Sequence, residues 1–162
     1  MGQAKTTYVA GSDLALTVVG LASDANLLVG QQSVEWDNSL NGYRDAWVSF
    51  KFTTGAVTVA GSVELWAVGY NGTAYPENFS TANASRTITA QGKRGFARLV
   101  FQDATTTTQN AAYEFGPRLL SDIFMGDIPQ KVVFLLVHST SVVPNATAAN
   151  HFLRIAPVYD LF

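Results

Sequence analysis

The chain has 162 residues, with 10 Lys and Arg against 12 Asp and Glu, and contains no cysteine. A chain this long makes one domain able to bury roughly 70% of its unfolded surface, and the missing cysteines exclude disulfides, thiolate nucleophiles and thiolate zinc sites. The one basic cluster, Lys93, Arg94 and Arg98, is too small to track a phosphate backbone, so no nucleic-acid partner is expected, and no apolar run approaches the ~20 residues that span a bilayer, so no membrane partner is expected either.

Charged residues make up only 14% of the chain, below the roughly 25% usual for a soluble domain. A surface so sparsely charged suits a protein that assembles. Residues 1–13 form a polar N-terminal arm, and residues 14–162 read as a single domain with no linker and no internal repeat. "LALTVVGLA", Leu14 to Ala22, reads as a strand rather than a signal-peptide core, because Gly11, Ser12 and Asp13 interrupt its approach and Lys5 is the only basic residue before it. Strand-like segments recur near 14–21, 27–36, 43–53, 61–70, 86–90, 95–103, 111–115, 131–138 and 151–159. Their β-branched and aromatic runs are broken by Asn-Gly at 41–42 and 71–72, by Gly-Pro at 116–117 and by the Thr-rich "ATTTTQN" at 104–110, read as a hairpin loop. The class is all-β, an antiparallel two-sheet sandwich of jelly-roll or immunoglobulin-like type. One short helical turn is expected in "PRLLSDIFMGDIP", where Leu119, Leu120, Ile123 and Phe124 have helical spacing, Pro117 suits a start, and Gly126 and Pro129 a stop. "KVVFLLVH", Lys131 to His138, is apolar on both faces and reads as a central strand. It is expected to pair with "HFLRIAPVYD", where Pro157 implies an edge or a bulge.

Two strands raise a question of phase. In "YRDAWVSFKFTTG" the alternation sets Ala46, Val48, Phe50 and Phe52 toward a core, and Trp47 and Lys51 away from it. In "SVELWAV" Val63, Leu65 and Ala67 alternate against Glu64 and Trp66. Two outward indoles on two strands need a cover, so Trp47, Trp66, Glu64 and Lys51 are the candidate interface residues. A β-bulge would reverse the phase and put both rings between the sheets.

Chemistry finds little purchase. Glu35 and Asp37 share a strand face, as a glycosidase pair would, but read as solvated strand-end acids. His138 and His151 would face each other across a loop, with no third metal ligand nearby. The N-x-[ST] triplets at Asn71, Asn78, Asn83 and Asn145 are what an Asn- and Thr-rich chain produces by chance. No catalytic, cofactor-binding or metal residues are expected.

Taken together and in this order, "VEWDNS", "YRDAWVSFKFTTG", "YEFGP" and "HFLRIAPVYD" resemble a family of small virion structural proteins of tailed bacteriophages, over most of the chain from about Val34. The resemblance implies a non-enzymatic β-sandwich on the outer capsid surface, a decoration or cement protein bound to the major capsid protein and assembled as a homotrimer. The alternative is a carbohydrate- or receptor-binding module of a tail or fibre, with the indoles as stacking platforms.

Overall fold

The computed structural model describes residues 5–56 and 60–161; Met1 to Ala4 of the expected arm lie outside this range. In chain order the elements are β1 (Lys5–Tyr8), β2 (Ser12–Asp13), β3 (Val29–Gln32), β4 (Trp36–Asp37), β5 (Asp45–Thr53), β6 (Gly61–Gly69), β7 (Ala84–Thr87), α1 (Ala90–Gly95), β8 (Ala97–Thr105), β9 (Ala112–Leu119), α2 (Leu120–Ile123), β10 (Lys131–His138) and β11 (Phe152–Leu161). They form two antiparallel sheets packed face to face. The first runs β1-β11-β5-β9 with β2 also on β11, and the second β7-β3-β10-β6-β8 with β4 also on β10.

The pairing is nested: the chain's outermost strands, β1 and β2, take β11, then β3 and β4 take β10, β5 takes β9 and β6 takes β8. A long antiparallel ribbon rolled up so that its pairs fall alternately into two sheets is a jelly roll. The strand order therefore decides between the two sandwich types.

The phase of β5 is as the alternation requires. Ala46, Val48, Phe50 and Phe52 are buried, and they meet Val63, Leu65 and Ala67 of β6, Phe134 and Leu136 of β10, and Leu153 and Ile155 of β11 in one core between the sheets. Phe50 packs on Phe101 and Phe115 at ring-centroid distances of 6.3 and 6.4 Å. Each large side chain taken fully out of water here contributes roughly 1.5–3 kcal/mol.

A second, smaller core lies on the outer face of the second sheet. Val68, Ala97, Val133, Leu135 and Val137 point away from the first core and are covered by Phe79, Ile88 and Phe96. This cover, the chain between β6 and β8, is held by polar anchors. Buried Gln32 donates through Nε2 to the carbonyls of Ser80 (2.6 Å) and Ala82 (2.8 Å) and accepts from Arg86 Nε (3.1 Å). Helix α1, not foreseen in the sequence, is capped by Thr89, whose hydroxyl oxygen accepts from the Gly92 N–H at 2.9 Å and whose hydroxyl proton goes to Glu77.

Several expectations are corrected. Residues 14–21 are not a strand: this segment crosses from one sheet to the other, bonding to Leu153 through Leu14 and to Val34 through Ala15 and plugging the core edge with Val18 and Leu21. Strand β10 does not pair with β11. They belong to facing sheets, and their apolar rows meet across the core rather than along an edge. The 104–110 stretch likewise joins two sheets and is no hairpin. Pro117 lies inside β9, after a cis Gly116–Pro117 bond beside the register shift opposite Ser49, and the helix begins only at Leu120.

Pro157 sits in β11, a central strand. Its carbonyl accepts from the Val9 N–H, between the stretches where β1 and β2 pair with β11. A strand residue's N–H and C=O point to the same side, so the missing proline donor falls at that interruption and the ladder to β5 loses nothing.

Candidate functional site

The two faces of the sandwich differ. The second sheet is covered by its own chain, whereas the outer face of the first carries no such layer among the described residues. Trp47 projects from that bare face and is half-buried there, with Ala156 of β11 and Leu119 of β9 as its cross-strand neighbours. Lys51, two residues up the same row, pairs with Glu114 at 2.7 Å. Arg154 pairs with Asp13 at 2.8 Å and lies 4.9 Å over the Phe152 ring.

Beside Trp47 the face is hollowed. Thr6, Arg44, Asp45, Trp47, Leu119 and Val158, drawn from four neighbouring strands and the approach to β5, line a cavity of about 230 Å³. Asp45 is fixed as part of its wall. Its carboxylate accepts from the N–H groups of Ala46 (2.8 Å) and Ser121 (3.1 Å) and from the Ser121 hydroxyl. The wall is rigid on that side because α2 starts there.

Trp66 and Glu64 are elsewhere. They point from the outer face of the second sheet into the layer that covers it. The Trp66 Nε1–H donates to Glu64 Oε2 at 2.8 Å, Lys93 Nζ sits 2.5 Å from the same carboxylate and 4.8 Å from the centre of the indole, and Lys93 also donates to the Leu27 carbonyl at 2.8 Å. Glu64 is only 6% exposed. Thus the strand phase holds for both tryptophans, but the cover over Trp66 is α1 of its own chain and not a partner. The structure brings Trp47 and Lys51 together on one face and separates them from Trp66 and Glu64. Arg44, Leu119 and Val158, which complete the hollow, carry no signal in the sequence, since cross-strand register alone makes them neighbours.

Asp37 is an exposed strand-end acid, as expected, whereas the Glu35 carboxylate is largely buried, and both are paired. Lys131 bridges them at 3.2 and 2.9 Å, the Tyr75 hydroxyl donates to Glu35 at 2.9 Å, and Lys131 lies 5.7 Å over the Tyr70 ring. Hydrogen bonds from Ser39 and then from Lys131 hold Asp37 down to about 2, while burial and Glu35 raise the Tyr75 phenol far above its ordinary value. This network ties the turn after β6 to β10. The two histidines flank Phe52, at centroid distances of 5.6 Å for His138 and 5.9 Å for His151. His138 is wholly buried between Thr140 and the Leu21 carbonyl, and burial lowers its pKa. Among the described residues no group of three or more His, Asp or Glu is placed to hold a metal.

Comparisons with models of known protein families, with curated proteins and with solved structures give no match.

Proposed function

We propose that this chain is a non-enzymatic structural protein of a tailed-phage virion, a decoration protein that binds the major capsid protein on the outer capsid surface, assembles as a homotrimer and stabilises the shell. The observation that carries this reading is the asymmetry of the sandwich. One face is sealed by the chain itself, and the other is left bare around a half-buried indole and a hollow. Aromatic anchors beside hollows are the hot spots of protein interfaces. The resemblance of the "VEWDNS", "YRDAWVSFKFTTG", "YEFGP" and "HFLRIAPVYD" motifs to small virion proteins supports the particle as the setting.

Capsids with and without the protein, heated or osmotically shocked, provide the test: greater survival of decorated shells is expected, and equal survival refutes cementing. A glycan array with fluorescence quenching of Trp47 tests the carbohydrate-binding alternative.

A further inference from the structure

Strand β5 outruns its neighbour at one end. Its ladder with β11 stops at the Lys51 and Phe152 rung, yet Thr53, the last residue of β5, is buried, so its backbone groups need partners from elsewhere. His151 and the loop 139–150 supply them. The Thr53 N–H donates to His151 Nδ1 at 3.3 Å, the Asn145 N–H donates to the Thr53 carbonyl at 3.1 Å, and the Thr53 hydroxyl donates to the Asn150 carbonyl at 2.7 Å. The same imidazole also holds the loop, its Nε2 lying 2.8 Å from the Asn145 carbonyl. A carbonyl only accepts and a backbone N–H only donates, so both ring nitrogens have fixed roles: Nε2 carries the proton and Nδ1 is bare.

We infer that His151 is an acid-sensitive latch, which when neutral ties the loop 139–150 to the end of β5 and when protonated lets that end of the sandwich open. An imidazolium donates from both nitrogens, so a proton added at Nδ1 points at the Thr53 N–H. Donor then faces donor, and a buried backbone N–H is left without an acceptor. His138, on the other side of Phe52, is built differently: its Nε2 faces the Leu21 carbonyl and its Nδ1 the Thr140 hydroxyl. A hydroxyl can turn from donor to acceptor, the Thr140 proton going to the Val142 carbonyl at 3.0 Å, so protonation there forces no bond to break. The charges around His151 do not offset its protonation. Lys51 of β5 pairs with Glu114 of β9 and Arg154 of β11 with Asp13 of β2, residues 14–23 carry no charged side chain, and Asp24 turns to the N–H groups of Asn26, Leu28 and Val29. None of these carboxylates is left over for an imidazolium. Burial holds the His151 pKa below its ordinary 6.5, against the Asn145 hydrogen bond, which raises it, and with a further push down from Lys51. The latch is therefore closed above pH 6.5 and loosens as pH falls through the lowered value. Its release uncovers Phe52, on which the His151 ring rests, and frees residues 143–147 from their hollow against Gly55, Ala56 and Asn110.

Amide hydrogen exchange on the full chain, measured on both sides of pH 6.5 and expressed as protection relative to the free peptide, tests this independently of assembly. Below that pH the Thr53 and Asn145 amides are expected to lose protection by up to about tenfold per pH unit, while Val133 and Leu135 in β10 keep theirs. His151→Asn leaves an acceptor near the Nδ1 position that does not titrate, and is expected to abolish this pH dependence. Protection of the loop that stays constant until the whole fold is lost in acid overturns the proposal, as does an equal fall in His151→Asn. Should that variant not fold, long-range proton–nitrogen spectra of the parent's histidines decide. His151 is expected as the Nε2–H tautomer at neutral pH, titrating with the midpoint at which the loop loosens. An Nδ1–H tautomer, or a loop midpoint that follows His138 instead, overturns the inference.

Discussion

Replacing Lys93 by methionine should unsettle the protein far more than the loss of a surface charge would. Lys93 and Glu64 have side chains only 11% and 7% exposed, and their charged atoms are 2.5 Å apart. Without the ammonium, Glu64 keeps Trp66 Nε1 at 2.8 Å and Gln102 Nε2 at 3.3 Å as donors, but no opposite charge. Removing one partner of a buried pair costs about 3–5 kcal/mol, because the survivor remains charged out of water. For a chain of this size each kcal/mol lowers Tm by roughly 2–4 °C, so a fall of ~6–20 °C is expected in a thermal melt followed by circular dichroism. Glu64→Gln added to Lys93→Met removes the stranded charge while leaving an acceptor for Trp66, and should recover about half of the loss. A cost below about 1 kcal/mol, the size of an exposed ion pair, would refute the account of α1 as a sealed cover, as would a double variant no more stable than the single one.

If the proposed assembly holds, Trp47→Ser should leave the β-sheet circular dichroism intact while weakening trimer formation or capsid occupancy by ~30- to 1,000-fold, the equivalent of roughly 2–4 kcal/mol at a water-excluded hot spot; failure to fold would mean that the indole is structural. Asp37 has its folded-state pKa lowered to about 2 from its ordinary 3.8, so its stabilising effect is present above pH ~4 and is lost as pH falls through that interval. Urea midpoints measured along this window should show a slope that Asp37→Asn flattens, and an unchanged slope would show that the Ser39 and Lys131 bonds to Asp37 contribute nothing. Gly30→Ala should destabilise severely, since a Cβ there would meet the Leu136 carbonyl oxygen at 2.1 Å, whereas Gly95→Ala, with nothing within 4 Å, should be neutral or stabilising by up to about 1 kcal/mol. Comparing the two in one denaturation series checks whether β3 packs on β10 as closely as described.

The inward rows of β5, β6 and β10 were legible because a period of two is imposed directly on the sequence by burial of one face. Which strands pair was not, because an apolar row suits a facing layer as well as an adjacent strand, and β10 and β11 look alike on that criterion. The double-sided apolarity of "KVVFLLVH" did announce that the second sheet has something on each side; that the covering layer comes from the chain between β6 and β8 is written in polar anchors such as Gln32, whose partners Ser80 and Arg86 lie far off in sequence. The same holds for the candidate face. Trp47 and Lys51 can be placed outward from alternation alone, while the separation of Trp66 from Trp47 depends on β5 and β6 falling in different sheets.

The nested pairing also has a consequence for biosynthesis. Strand β11 occupies the middle of its sheet, between β1 with β2 on one side and β5 on the other, yet it is the last of the strands to be translated. Until residues 152–161 clear the ribosome, the first sheet is split, and the inner face of β5 has no neighbour on one flank. Contacts this distant along the chain make for slow, late folding. A message cut short before β11 would yield a chain missing the centre of one sheet, so truncated copies lack a complete fold by the topology itself.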